Sequence, residues 1–369
     1  MSGSPFNVRA MLGVIALASA MSCSDSPVAP SSEPLSVTPD DVSLARLLWS
    51  EPIDLGLLDV GQGGPYQSYA NALNDKDEVV GKSSAFVGPG ASIGLAFRWR
   101  PDGPNSETGQ MTPLWTPGGT IPLNSEALDI NDKGVAVGWF VPPIGGGSRG
   151  VMWPDDVGIL VGGDRAVAIN NAGYVVIQTG SIASLWVPDF PGAATGHTRV
   201  IGSFNARAIN DRGVIVGSSG AHPAVWRPDA PGAVTGTLTQ LLESPGTAND
   251  VNNKGEIVGG LSSGQAFLWR PTSPNATTGE LIELNPLLGA TSARATAINE
   301  KGEITGSGFF PSGPQSWVWS PGAKAGSTGT VTILGLSMVI DESGPRGPDI
   351  NDHGDVAHLL NLHATLWRK

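Results

Sequence analysis

The residues best suited to do chemistry in this chain recur in one phrase. "AINDRGVIVG" at 208–217 sets an asparagine, a carboxylate and a glycine within four positions, as part of a calcium loop or an acid/base pair would. Near copies occur seven times, centred on Asn74, Asn131, Asn170, Asn210, Asn252, Asn299 and Asn351. A calcium loop needs six or more oxygens from spaced carboxylates, and each copy supplies too few. A turn asks for these residue types without any ligand. Asn accepts local hydrogen bonds at its first position, polar residues fill the middle, and Gly takes a positive φ to rejoin the ladder as a bulge. Unit one has Asp77 at the Gly position, and Asp visits the left-handed region more readily than most residues. The phrase therefore reads as scaffolding.

The elements around it follow the same repeat. Ala stands four positions before the Asn in six units (Ala70, Ala127, Ala166, Ala206, Ala248, Ala295), and five positions after it come Val79, Ala136, Val175, Ile215, Ile257, Ile304 and Val356. A Trp follows in every unit: Trp99, Trp153, Trp186, Trp226, Trp269, Trp319 and Trp367. Successive Asn residues are 57, 39, 40, 42, 47 and 52 positions apart, a period that marks a propeller or a β-solenoid. Each unit parses into four strands: one ending at the Asn, one like "VIVG", one holding the Trp, and one of aliphatics like "LTQLL". In "GEIVGG" and "RGVIVGS" apolar residues are consecutive, so both faces of that strand must be covered. Blades stacked around an axis do this, with the Trp as filler between them. The last unit has no fourth strand of its own, while "PIDLGLLDVG" at 52–61 has the aliphatic pattern of one. The expectation is an all-β, seven-bladed β-propeller of four-stranded blades over 52–369, closed by an N-terminal strand that completes the last blade.

Three features taken together carry a resemblance: Ala-x-x-Ile-Asn-x-x-Gly-x-Val-x-Gly, then Ala-Phe-x-Trp-x-Pro, then a Leu-Gly strand. "SYANALNDKDEVVGKSS", "AINDRGVIVGSS" and "QAFLWRP" show them best. The chain resembles the HAF family of extracellular bacterial repeats over essentially all of 52–369. The resemblance implies a propeller-like fold and an extracytoplasmic location. It brings no established activity and no catalytic residues.

Composition sets further bounds. The chain is 40% hydrophobic and 15% charged, too apolar for a disordered chain, and its 51 Gly and 30 Pro call for many tight turns rather than helices. A net charge of −12 argues against nucleic acid and against a polybasic membrane contact. Residues 1–22 read as a lipoprotein-type signal peptide, with an apolar run from Ala10 to Met21 that is too short to span a bilayer. Cys23, the only cysteine, is the expected lipidation site, and 23–51 is a Ser/Pro-rich tether. The expected location is the cell envelope, with simple secretion as the alternative. The membrane is touched only through the anchor, and the propeller is expected to be monomeric.

Function is expected where the repeat is broken. Units one, two and six carry long stretches between their second and third strands, and these hold Trp139, Phe140, Phe309, Phe310 and Trp317. Aromatics on one rim could stack on sugar rings or grip a partner's apolar side chains; the alternative is that they pack the loops onto the scaffold. Five units share a Thr-Gly pair nine and ten residues after the Trp, which reads as a shaped hairpin turn. His358 and His363 could face one another across a hairpin, but two imidazoles without carboxylate support are a weak metal signal. No cofactor or metal is expected. There is no Gly-x-Ser-x-Gly elbow, phosphate loop, His-Glu-x-x-His or cysteine nucleophile in the propeller. Asp155 with Asp156, and Glu280 with Glu283, are the carboxylate pairs open to recruitment. The expected function is a non-catalytic, extracytoplasmic binding or scaffold propeller for a protein or glycan. The alternative is a glycan-active hydrolase or lyase with a carboxylate pair in the propeller mouth.

Overall fold

The computed structural model describes residues 49–58, 64–88, 91–120, 122, 124–144, 146–230, 232–322, 328–336 and 347–369. The signal segment, Cys23 and most of the tether lie outside the described residues. Seven four-stranded antiparallel sheets stand around an axis as the blades of a β-propeller. Blade one spans 65–113, blade two 124–160, blade three 165–203, blade four 205–240, blade five 246–283 and blade six 292–336. Blade seven spans 349–367 and takes its outer strand from the start of the chain. The single helix among the described residues is one turn, Asn285–Leu288.

Blade four shows how the repeat builds a blade. Its strands run outward in chain order: Asn205–Ile209, Ile215–Ser219, His222–Pro228 and Gly236–Gln240. Neighbouring apolar residues on the second strand face opposite ways. Ile215 packs with Val176 and Leu185 of blade three, whereas Val216 packs with Ile257 and Trp269 of blade five. Both are fully buried, because each side of the sheet meets another sheet. The apolar core is therefore divided among the interfaces between blades. Seven clusters of buried residues each join neighbouring blades, and each contains one repeat Trp. Burial of ~150–250 Å² per indole at ~25 cal/mol/Å² is worth roughly 4–6 kcal/mol gross.

The Thr-Gly pair belongs to this packing. Gly236 opens the outer strand opposite Pro228 and lies flat against Trp226, where a Cβ would stand 2.6 Å from the indole. Gly109, Gly196, Gly279 and Gly329 meet Trp99, Trp186, Trp269 and Trp319 in the same way. Thr235 closes the hairpin by accepting the Asp229 N–H at 2.9 Å. The five copies are thus a stereotyped turn whose glycine makes room for the indole.

Closure is made by the N-terminal strand. Ile53–Asp54 pairs antiparallel with His363–Trp367, Ile53 opposite Leu366. Leu55 and Leu58 then run into the interface between blades seven and one, against a cluster that holds Trp99 and Leu366. The strand covers an edge that would otherwise offer unpaired backbone groups to another chain.

Replacing Leu55 with Ala is expected to lower stability by about 2–4 kcal/mol in urea denaturation, because the cavity opens at the closing seam. Deleting residues 49–58 should cost more and cause self-association on size-exclusion chromatography through the bared strand edge. Unchanged midpoints for both variants would remove the closing role of this segment.

Candidate functional site

The Asn-Asp-x-Gly phrase makes the turn expected of it, and it also binds the blades together. Asn210 Oδ1 accepts the N–H groups of Arg212 and Val214 at 3.0 and 2.9 Å, and Gly213 has φ 81°. The carboxamide nitrogen is left to reach outward, and it donates to the backbone carbonyl of Asn252 in the next blade at 2.9 Å. The same bond joins Asn74 to Asn131, Asn131 to Asn170, Asn170 to Asn210, Asn252 to Asn299, Asn299 to Asn351, and Asn351 back to Asn74, at 2.9–3.2 Å. A second closed ring runs beside it. The N–H of each following residue donates to the side-chain oxygen at the same position of the next blade, through Asp75, Asp132, Asn171, Asp211, Asn253, Glu300 and Asp352, at 2.6–3.0 Å. Arg212 adds a third tie to the Asn253 carbonyl at 3.0 Å, and Lys301 one to the His353 carbonyl at 3.2 Å. Burial, followed by the charges of Asp132 and Asp352, raises the Asp75 carboxyl above its ordinary range. The asparagine carboxamides and the side-chain oxygens beside them on this face are committed to the two rings.

The opposite face is where the inner strands begin, and there the repeat leaves two positions open. Five residues before and eight residues after each Asn, side chains pair across the inner and second strands. The pairs are Tyr69 with Lys82, Glu126 with Trp139, Arg165 with Gln178, Asn205 with Ser218, Thr247 with Gly260, and Arg294 with Ser307. These pairs vary in charge and size from blade to blade, while the Ala beside each of them on the inner strand (Ala70, Ala127, Ala166, Ala206, Ala248, Ala295) does not. They surround the mouth. Blades one to four line a cavity of about 930 Å³, at the upper end of ordinary ligand pockets, to which Tyr69, Lys82, Glu126, Arg165, Gln178 and Arg207 contribute. Blades four to six line a smaller groove of about 310 Å³, rich in Gly and Ser.

The cavity is amphipathic and well positioned. Trp139 stands between two cations, Lys82 Nζ at 5.8 Å and the Arg165 guanidinium at 5.7 Å from its ring. Asn71 Nδ2 donates to Glu126 at 3.0 Å, and Asp164 accepts the Gly180 N–H at 2.9 Å. Burial, with Tyr66 and Glu126 nearby, raises the Tyr69 hydroxyl. Tyr66 stacks on Phe86 with centroids 4.2 Å apart, and Phe86 is 52% exposed. Along the same rim Ile144 is 89% and Phe309 45% exposed.

The five aromatics singled out in the sequence divide. Trp139 is half-buried at the mouth, Phe309 is exposed, and Phe310 is half-buried against the cluster between blades five and six. Phe140 and Trp317 are buried, Phe140 between blades one and two and Trp317 between blades five and six. The physical reason is that much of the broken repeat is lengthened strand. Val79–Gly88 pairs with Ala91–Pro101 in blade one and Ile304–Phe310 with Gly313–Pro321 in blade six, so alternate side chains turn inward. The mouth residues Lys82, Glu126 and Arg165 escaped the sequence reading. Stacking the seven copies and asking which columns vary would have found them.

The other candidates lie away from the cavity. Asp156 holds Arg100 through both oxygens, at 3.0 and 3.2 Å. Glu280 and Glu283 are exposed on the outer strand of blade five. His358 and His363 do not meet: His358 lies opposite Thr365, and burial pushes its imidazole down to about 4, while His363 contacts Asp54 at 2.8 Å. At the seam, oxygen and nitrogen atoms of Asp77, His353 and Asp355 come within 4.8 Å of one another. The chain itself supplies the partners: the Arg368 guanidinium donates to Asp77 at 2.9 Å and the Lys369 backbone N–H to Asp355 at 2.9 Å. This cluster reads as a clasp holding the C-terminal residues across the closing blades.

Three acids lie two positions before their Asn. Asp129, Asp250 and Asp349 each accept an N–H from the next blade, at 2.8, 2.8 and 2.9 Å. They come from blades two, five and seven, yet Asp349 feels the charges of the other two, which puts their carboxyl groups near the axis. As a residue Asp349 is half-buried, but its carboxyl is enclosed by protein. That burial, followed by the charge of Asp250, pushes it up to about 8.

Two outcomes follow from this geometry. Asn210→Asp keeps the turn acceptor and removes the donor to blade five, so it is expected to cost about 1–3 kcal/mol in chemical denaturation; a neutral result would reduce the asparagine to a local turn residue. Asp349 binds its proton more tightly folded than unfolded, so its contribution to stability is fully present below about pH 4 and is lost as pH rises through about 8. Melting temperature should therefore fall across that window, and Asp349→Asn should flatten the fall. The chain matches no protein-family model and no curated protein is detectably similar to it, so the site itself must carry the functional reading.

Proposed function

We propose that this protein is a non-catalytic binding propeller, displayed outside the cytoplasm on a lipid anchor at Cys23, that takes a glycan or protein ligand in the mouth of blades one to four. One observation carries the reading. The two positions that the repeat leaves free face this mouth and line a cavity of about 930 Å³, while the other face is filled by structural hydrogen bonds. A scaffold with one invariant face and one varied face suits recognition. Tyr66 and Ile93 in the lining, with Phe86 stacked on Tyr66, give it apolar contacts, and the amide and hydroxyl lining gives it orienting ones. The resemblance to HAF repeats supports the extracytoplasmic location.

The alternative, a glycan hydrolase or lyase, would draw on Glu126 and Asp164, the two carboxylates of the cavity lining. Glycan-array and surface-polysaccharide pull-down assays on the purified protein, scored for binding and for product release, separate the readings. The expected outcome is binding without release, weakened about tenfold or more by Tyr66→Ala, a residue of the cavity lining, with the melting temperature of the variant reporting separately on folding. Full binding by that variant would move the site away from the mouth. Release of shortened sugars would replace the binding reading with the hydrolase one.

A further inference from the structure

We infer that the mouth is built for an anionic glycan, a polysaccharide bearing uronate carboxylates, which Lys82 and Arg165 engage on either side of Trp139. This rests on the binding reading above and narrows it to a charge class.

The inference comes from where cations are paired. The chain carries a net charge of −12, and cations at its structural interfaces are held by acids, as Arg100 is by Glu78 and Asp156, Arg270 by Glu256 and Arg368 by Asp77, or by backbone carbonyls, as are Arg212, Arg227 and Lys301. Lys82 and Arg165 are not. Among the described residues neither has an ion pair or a side-chain hydrogen bond, and the contact of each is the Trp139 ring. In so acidic a chain, two such cations on one cavity wall are an attractive site for a carboxylate. The stem of Lys82 lies over Gly94, where a Cβ would stand 1.8 Å from Cε, so this glycine leaves the space that the lysine occupies. The two acids of the lining are bonded to neutral donors, Glu126 to Asn71 and Asp164 to the Gly180 N–H, and neither forms an ion pair with these cations.

The surroundings favour sugar over acidic peptide. The inner strands that line the cavity are edge strands of their sheets, but they pack against one another around the axis and leave little room for an added strand. Asn124 and Asn205 line the cavity with amides suited to sugar hydroxyls, the buried Asn124 Oδ1 having no hydrogen-bond partner in the protein, and the Tyr66–Phe86 stack offers a flat aromatic surface at the rim.

Calorimetric titration of the full-length protein tests this with four probes: polygalacturonate, its methyl ester, neutral dextran and polyglutamate. The expected result is binding of polygalacturonate, weakened about tenfold or more by esterification and by the Lys82→Gln/Arg165→Gln double substitution, and falling with added salt. Gly94→Val, which displaces Lys82 and leaves both charges present, should weaken binding in the same direction. The melting temperature of each variant reports separately on folding. Equal binding of the ester or of dextran would overturn the charge inference and leave glycan binding standing. Binding of polyglutamate alone would overturn it in favour of an acidic protein partner. Binding of none of the four would overturn both this inference and the glycan arm of the broader reading.

Discussion

One buried hydrogen bond, from an asparagine carboxamide to the backbone carbonyl of the next asparagine, recurs around the axis and sets the terms for the rest of the molecule. Apolar contact between blades is strong but non-directional, and it would tolerate blades sliding along the axis. The carboxamide bond does not, because its donor and acceptor meet at only one height. It works only if every turn has the same shape, which is why Asn must have its oxygen occupied by the turn and its nitrogen free. Gly at the fourth position holds that shape through a positive φ, and in unit one Asp77 does so at φ 60°.

The ring divides the two faces by role. At the turn face, side chains and backbone are used in joining blades, so the residue types recur. At the mouth, the strands have already been aligned, and the paired positions before and after the turn are free to differ. Blades one to three use them for large or charged residues, and blades four to six mainly for small or polar ones. Internal symmetry builds the scaffold, and its local failure builds the cavity.

Acidic residues show the same economy. Many of the carboxylates are acceptors for backbone N–H groups of a neighbouring blade, the next one near the axis and the preceding one in the second ring. Where an acid stands four positions after the asparagine, a cation stands across from it, as with Glu78 and Arg100 or Glu256 and Arg270. Blade four has Val214 there, and its Arg227 instead lies over Trp269 of the next blade at 5.5 Å. The negative charge of the chain is thus largely structural, and Lys82 and Arg165 stand apart from it.

Sequence alone determined the blade number, the strand order within each blade, the turn chemistry and the closing strand. All of these rest on local rules: a turn that needs Asn and Gly, a strand apolar on both faces, a fixed spacing to the Trp. It could not say that Asn210 reaches across to Asn252, because the donor and acceptor are 42 positions apart and only closure brings them together. Nor could it sort the aromatics. Trp139 and Phe140 are neighbours in one strand, and pleating sends the first to the mouth and the second into the interface with blade one. Trp317 looked like a rim residue until the paired strands of blade six turned it against blade five. The cavity itself draws on residues from four blades, and the fold alone decided which of them share a wall.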